Sequence, residues 1–162
     1  MSSKNIKTGM KKRKCVVLNL FEKHIKNTKG KEIVVNESIY VCHLTYSVLN
    51  FLGFSDPKIY LNTKVLKHLY DKKPAEEFDF IINNLHTVVK YPDHIYENKN
   101  SKRGDFCLVK KLGDCSYLCS VEHNDDCDEM KVFVVTVFRV RDDAYLKRYK
   151  LLWSWKGGNP SS

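Results

Sequence analysis

The stretch Lys131-Val132-Phe133-Val134-Val135-Thr136-Val137-Phe138-Arg139-Val140 decides how this chain is read. Its apolar residues fall on both parities, whereas a strand with one wet face alternates apolar and polar side chains. A Val- and Phe-rich run of this kind is a strand buried on two sides, the spine of a sheet. Asp105 to Lys111 and Tyr117 to Glu122 have the same strand character, are joined through Gly113-Asp114, and are followed by an acidic loop from Asn124 to Glu129. Such short connections favour antiparallel pairing.

Upstream of these strands the period changes. Ile59-Tyr60-Leu61 is a short strand, and Asn62 or Thr63 caps a helix whose apolar stripe is Val65, Leu66, Leu69 and Tyr70. Lys64, His68, Asp71 and Lys72 share its other side. After Pro74 a second helix runs from about Glu76 to Val89, with Phe78, Ile81, Ile82, Leu85 and Val89 at helical spacing, and Pro92 closes it off. Nearer the start, Cys15-Val16-Val17-Leu18 reads as a first strand. Glu32 to Val35 and Ile39 to Cys42 read as a hairpin around Asn36-Glu37-Ser38, and Thr45 to Leu52 as a helix ended by Gly53. Residues 142 to 150 make a last helix before the aromatic patch Leu151 to Trp155.

Helices followed by an antiparallel sheet of about four strands define an α+β fold with one sheet face covered. Ser55-Asp56-Pro57 is a natural break. It divides a basic disordered tail (1–14) and an N-terminal accessory unit of hairpin and helix (15–55) from a main α+β domain (56–162).

With 162 residues, 43% of them hydrophobic, the chain can bury a core without staples. The six cysteines (15, 42, 107, 115, 119 and 127) include no C-x-x-C pair. The apolar run Cys15 to Leu20 is too short for a signal peptide, and no stretch approaches the ~20 apolar residues that cross a bilayer. Reduced thiols and a cytoplasmic location are expected. Residues 1–31 carry ten Lys/Arg against one Glu, a surplus equal to the net charge of +9 for the whole chain, so the remainder is neutral. The basic character therefore belongs to the N-terminal segment, whose lysines would add salt-sensitive affinity for RNA or an anionic partner.

Cys115, Cys119, His123 and Cys127 recur every four residues. On an extended strand that spacing is about 13 Å, too far apart for the ligands of one zinc ion, so no metal site is expected. Gly-rich phosphate loops, paired catalytic carboxylates and nucleophile elbows are absent, and no cofactor is expected.

What remains is a metal-free set: His68 on a helix, the basic turn Lys102-Arg103-Gly104, Lys110 in the strand that follows, and Thr136 interrupting the spine. Cleaving RNA through its own 2′-hydroxyl needs a proton acceptor and cations facing a phosphate that gains negative charge. Histidine exchanges protons near neutral pH, and Arg and Lys hold phosphate oxygens. Lys64, Lys102 and Trp155 are candidates for holding substrate, the tryptophan by stacking on an unpaired base. Each residue also has a plain structural explanation: a solvated helix face for His68, a hairpin end for Arg103, a tolerated strand former for Thr136.

The segment from about Lys58 to Ser162 resembles the phage-associated nucleases of the barnase/EndoU/colicin/RelE-like superfamily. The likeness lies in Ile59-Tyr60-Leu61 leading into Lys67-His68-Leu69, in Asn83-Asn84-Leu85 and Tyr91-Pro92-Asp93, and in a sheet carrying Lys102-Arg103-Gly104-Asp105-Phe106 and Val134-Val135-Thr136-Val137-Phe138. The resemblance implies a metal-independent endoribonuclease, with transfer RNA one candidate substrate. His68 would be the helix histidine, Arg103 and Lys110 the strand cations, and Thr136 the late-strand hydroxyl. An active ribonuclease also implies a protective partner such as an acidic inhibitor or antitoxin. The alternative is a non-catalytic RNA- or protein-binding module, a degenerate nuclease of a phage or mobile element.

Overall fold

The computed structural model describes residues 16–98, 104–124 and 131–155. A helix α1 (residues 16–24) is followed by β1 (Ser38–His43), α2 (Tyr46–Leu52), β2 (Lys58–Asn62), α3 (Thr63–Lys72) and α4 (Ala75–Lys90). Then come β3 (His94–Glu97), β4 (Phe106–Leu112), β5 (Cys115–Asn124), β6 (Lys131–Val140), a 3-10 segment (Asp143–Arg148) and β7 (Lys150–Ser154). One seven-stranded sheet has the order β1-β2-β6-β5-β4-β3-β7. Its pairs are antiparallel except β2 with β6, which run parallel. The class is α+β as expected, but the sheet is larger than the four strands read from sequence. At four and five residues, β3 and β7 are too short to show a period, and each completes the other.

The spine behaves as its sequence requires. β6 lies between β2 and β5, and Val132, Val134 and Val137 enter the main core at 1% exposure each. The local signals for α2 and α3 also hold. Thr45 caps α2 by accepting from the Val48 N–H, and Gly53 ends it in the left-handed region at φ +72°, where a side chain would be strained. The Asn62 side chain accepts from the Lys64 N–H at the start of α3.

Two expectations near the N-terminus are overturned. Residues 16–24 are helical, with Val17, Leu20 and Phe21 packed on the core at helical spacing, and Ile25 buried just beyond. A four-residue apolar run cannot distinguish strand from helix, and the partners waiting on α3 and α4 decide the matter. Phe21 packs against Tyr70 and Phe78 with ring centroids 5.4 and 5.3 Å away. Nor is there a hairpin about Asn36. β1 pairs with β2 across Ser38↔Asn62 and Ile39↔Leu61, while Ile33 and Val35 are 94% and 64% exposed. The buried Thr63 side chain fixes that segment, its hydroxyl donating to the Val35 carbonyl at 2.5 Å and accepting from the Glu37 N–H at 2.9 Å.

The chain on either side of Ser55–Pro57 shares this one sheet and one core, since Val17, Ile25 and Val48 belong to the same apolar cluster as Ile59, Leu66 and Val134. The expected last helix is the 3-10 segment, capped by the Asp142 carboxylate accepting from the Ala144 N–H. The basic tail, the Lys102–Arg103 pair and most of the acidic loop lie outside the described residues. Among the described residues, no helix is long and apolar enough to cross a membrane.

The four described helices pack on one face of the sheet, around the main core. On the other, Cys107, Val109, Leu118 and Val140 form a smaller cluster under Leu146, Tyr145 and Tyr149 of the 3-10 segment and its end. That segment crosses the middle of the face and leaves an opening on either side.

Candidate functional site

The candidate site begins with an irregularity in β6. Val132 and Val134 face the helices, so strict alternation would bury Thr136 among them. Instead the β5–β6 register slips: Val121 pairs with Val134, Ser120 pairs with Thr136, and Val135 is left as the extra residue of a bulge. One inserted residue exchanges the two faces from there on. Val137 takes the core position, and Thr136 and Phe138 turn to the helix-free face.

Thr136 and Ser120 therefore stand side by side in a recess of about 320 Å³, lined also by Asn98, Tyr145, Arg148 and Tyr149. Ser120 is 2% exposed, and its hydroxyl finds no hydrogen-bond partner among the described residues. A buried hydroxyl left without a partner is destabilising by roughly 1–3 kcal/mol. Gly104 closes the recess from the side at φ +93°. A Cβ there would lie 3.0 Å from both Ser120 Cβ and Oγ and 3.1 Å from Asn98 Nδ2. Its carbonyl accepts from Asn98 Nδ2 at 3.0 Å, and its N–H donates to Glu122 Oε2 at 3.1 Å.

The far wall comes from the 3-10 segment. The Tyr145 and Tyr149 hydroxyls are 2.9 Å apart, and the Arg148 guanidinium sits 5.7 Å from the Tyr145 ring centroid. Burial, then the hydrogen bond shared with Tyr145, raises the Tyr149 pKa well above the ordinary phenol value. Both phenols are protonated at neutral pH, one proton lying between the two oxygens and the other free to be donated to an anion. Hydroxyls, an amide and a guanidinium converge here, a donor set suited to a phosphate.

Helix α3 packs against β6 and β2. At its start Lys64 and Val65 share a recess of about 250 Å³ with Glu122, Val134 and Val135, and just past its end Lys73 Nζ lies 5.4 Å from the Phe138 ring centroid. His68, one turn after Lys64, is not among the residues that line the recess with Thr136. His68 is exposed. Asp71 does not orient it: that carboxylate accepts from Lys67 Nζ at 2.6 Å and from the Lys31 N–H at 3.1 Å. Lys67, read only as part of a helix, is buried and also donates to the Lys29 carbonyl at 2.7 Å, tying the N-terminal segment down.

Lys110 does not join this set. Alternation along β4 sends it with Leu108 to the helix side, where it lies 3.5 Å from Asp93 Oδ1. Trp155 lines grooves at the β3–β7 end of the sheet and not the recess with Thr136. Arg103 and Lys102 immediately precede Gly104 in sequence but lie outside the described residues. The residues that the sequence did not disclose are Ser120, Asn98 and Arg148; Tyr149 was legible only as one of the C-terminal aromatics that could stack on a base. Ser120 had a legible signal, a small polar residue interrupting an apolar strand as Thr136 does. The others are brought in by β3 and by the 3-10 segment, which have no such pattern.

The fold is thus an α+β domain with one sheet face free of helices and a polar recess upon it. Residues 41–146 match the model of the phage-Barnase-EndoU-ColicinE5/D-RelE like nuclease3 family, and the chain belongs to that family. The match starts within β1, so it takes in part of the segment before Asp56, and it ends inside the 3-10 segment, short of Trp155. No curated protein and no solved structure matches the chain.

Proposed function

We propose that the protein is an endoribonuclease that cleaves RNA through the substrate's own 2′-hydroxyl, and that the recess between Ser120, Thr136 and Arg148 holds the scissile phosphate. The observation that carries this is the Ser120 hydroxyl, nearly buried, without a partner among the described residues, and facing a cavity lined by other anion-binding groups. Membership of a nuclease family supplies the phosphodiester as substrate.

His68 takes the proton from the 2′-oxygen, which attacks phosphorus. The bond to the 5′-oxygen breaks, and that oxygen takes a proton from water at the open rim. The products are a 2′,3′-cyclic phosphate and a 5′-hydroxyl end. Charge gathers on the non-bridging oxygens during attack, where the hydroxyls of Ser120, Thr136 and Tyr149 donate and Arg148 neutralises. Arg103, which precedes Gly104 in sequence and lies outside the described residues, is kept as a candidate cation for the same phosphate, and Lys64 attracts the backbone.

The test is incubation of the protein with transfer RNA and with a single-stranded RNA in EDTA, followed by end-group analysis. Cyclic phosphate ends from the wild type, with a loss of about 10²-fold or more in His68→Ala and little change in Lys110→Ala, are the expected outcome. Cleavage that stops on chelation, or His68→Ala as active as the wild type, would overturn the mechanism. Binding that weakens steeply with salt and no turnover would identify a binding module instead.

A further inference from the structure

On the far side of the 3-10 segment the same sheet face holds a groove of about 650 Å³. Its lining includes Lys111, Lys147, His94, Tyr149 and Trp155. Strand alternation places His94 and Tyr96 of β3 and Lys111 of β4 on the helix-free face, as Ile95 and Leu108 fill the core behind them. Two carboxylates also line it. Asp93 is committed, accepting from the Lys111 N–H at 2.8 Å with Lys110 Nζ 3.5 Å away, whereas Asp143 stands at the exposed start of the 3-10 segment. The His94 ring is fixed by a 2.9 Å contact between Nδ1 and Ser154 Oγ.

We infer that this groove is a second nucleotide subsite, which binds an unpaired stretch of the RNA whose phosphodiester is cleaved in the recess; the inference rests on the nuclease reading above. Three features combine. Tyr149 lines both openings, so the groove lies next to the recess on the same sheet face. Lys111 and Lys147 supply cations for a phosphate, and the Trp155 and Tyr149 rings supply faces on which a base can stack. Asp143 can accept from the amino group of a base. The two openings are marked by Ser120 and Ser116, four residues apart on β5 and so separated by about 13 Å. A stacked strand advances about 3.4 Å per nucleotide, so one nucleotide cannot occupy both. The substrate is a single strand several nucleotides long, with its bases free of partners.

Trp153 and Trp155 are the two tryptophans of the chain, so Trp153→Phe leaves Trp155 as sole reporter. Its fluorescence is titrated with 2′-O-methyl oligoribonucleotides of increasing length, which cannot be cleaved through the 2′-oxygen. An octanucleotide should quench Trp155 and bind on the order of tenfold or more tightly than a dinucleotide, and Lys111→Ala/Lys147→Ala should lose about tenfold of that affinity. Equal affinity at all lengths, an unquenched Trp155, or full octanucleotide affinity in the lysine variant would overturn the subsite. Cleavage of ordinary RNA without quenching removes the subsite and leaves the nuclease. Length-dependent quenching without cleavage removes the nuclease and leaves the subsite. Circular dichroism confirms that each variant is folded.

Discussion

Replacing Ser120 with alanine separates a catalytic hydroxyl from a structural one. The change removes a single oxygen at a position 2% exposed and keeps the Cβ that packs beside Gly104. If that oxygen has no partner in the fold, its removal relieves a burial penalty of roughly 1–3 kcal/mol, part of which returns as a small void. The net expectation is a gain of about 1 kcal/mol. With a urea slope near 2 kcal/mol/M, the unfolding midpoint should rise by about 0.5 M. Over the same substitution, cleavage of RNA in EDTA should fall at least tenfold, because one donor to the developing charge is gone. A protein made more stable and less active by the loss of one atom has a functional oxygen there. A midpoint lower by about 0.5 M, or unchanged cleavage, would refute the reasoning, since the hydroxyl would then be satisfied within the fold or idle.

Gly104→Ala should be among the most damaging small substitutions: the left-handed backbone adds about 1–2 kcal/mol of strain and the contacts at 3.0 Å about 1–3 more, both read from urea unfolding. A loss below about 1 kcal/mol would show that Ser120 and Asn98 give way. Glu77, 3% exposed, faces Arg141 at 3.3 Å, Arg139 at 3.6 Å and Lys73 at 3.7 Å. Glu77→Gln should cost about 1–3 kcal/mol, less than a fully buried pair because Arg141 is largely in water, and an unchanged midpoint would mean that the cluster contributes nothing. Burial pushes the thiols of Cys42 and Cys107 up to about 12 from 9.0. A raised pKa means stability that is complete below about pH 9 and lost as pH rises towards 12, when the unfolded chain ionises first. The thermal midpoint should fall across that window, and less steeply in Cys42→Ala/Cys107→Ala; equal slopes would contradict it.

What the sequence determined by itself was the set of elements whose signals are local. The two-sided apolar run of β6 made it the spine, Asn62 and Thr45 started helices, Gly53 stopped one, and alternating strands around Gly113-Asp114 paired as neighbours. Thr136 was legible because it breaks an apolar strand, and His68 because it stands on the polar side of an amphipathic helix. Tertiary structure decided whatever depends on partners remote in sequence. Whether residues 16–24 form strand or helix was settled by the aromatic pocket of Tyr70 and Phe78, and the partner of β1 by the burial that β2 offered. Above all, the face to which Thr136 points was set by a one-residue slip against β5. Period-two alternation carries no mark of a bulge, because the extra residue is defined only by the strand it fails to pair with. That slip brings Thr136 beside Ser120 and beneath Arg148, and so assembles the recess.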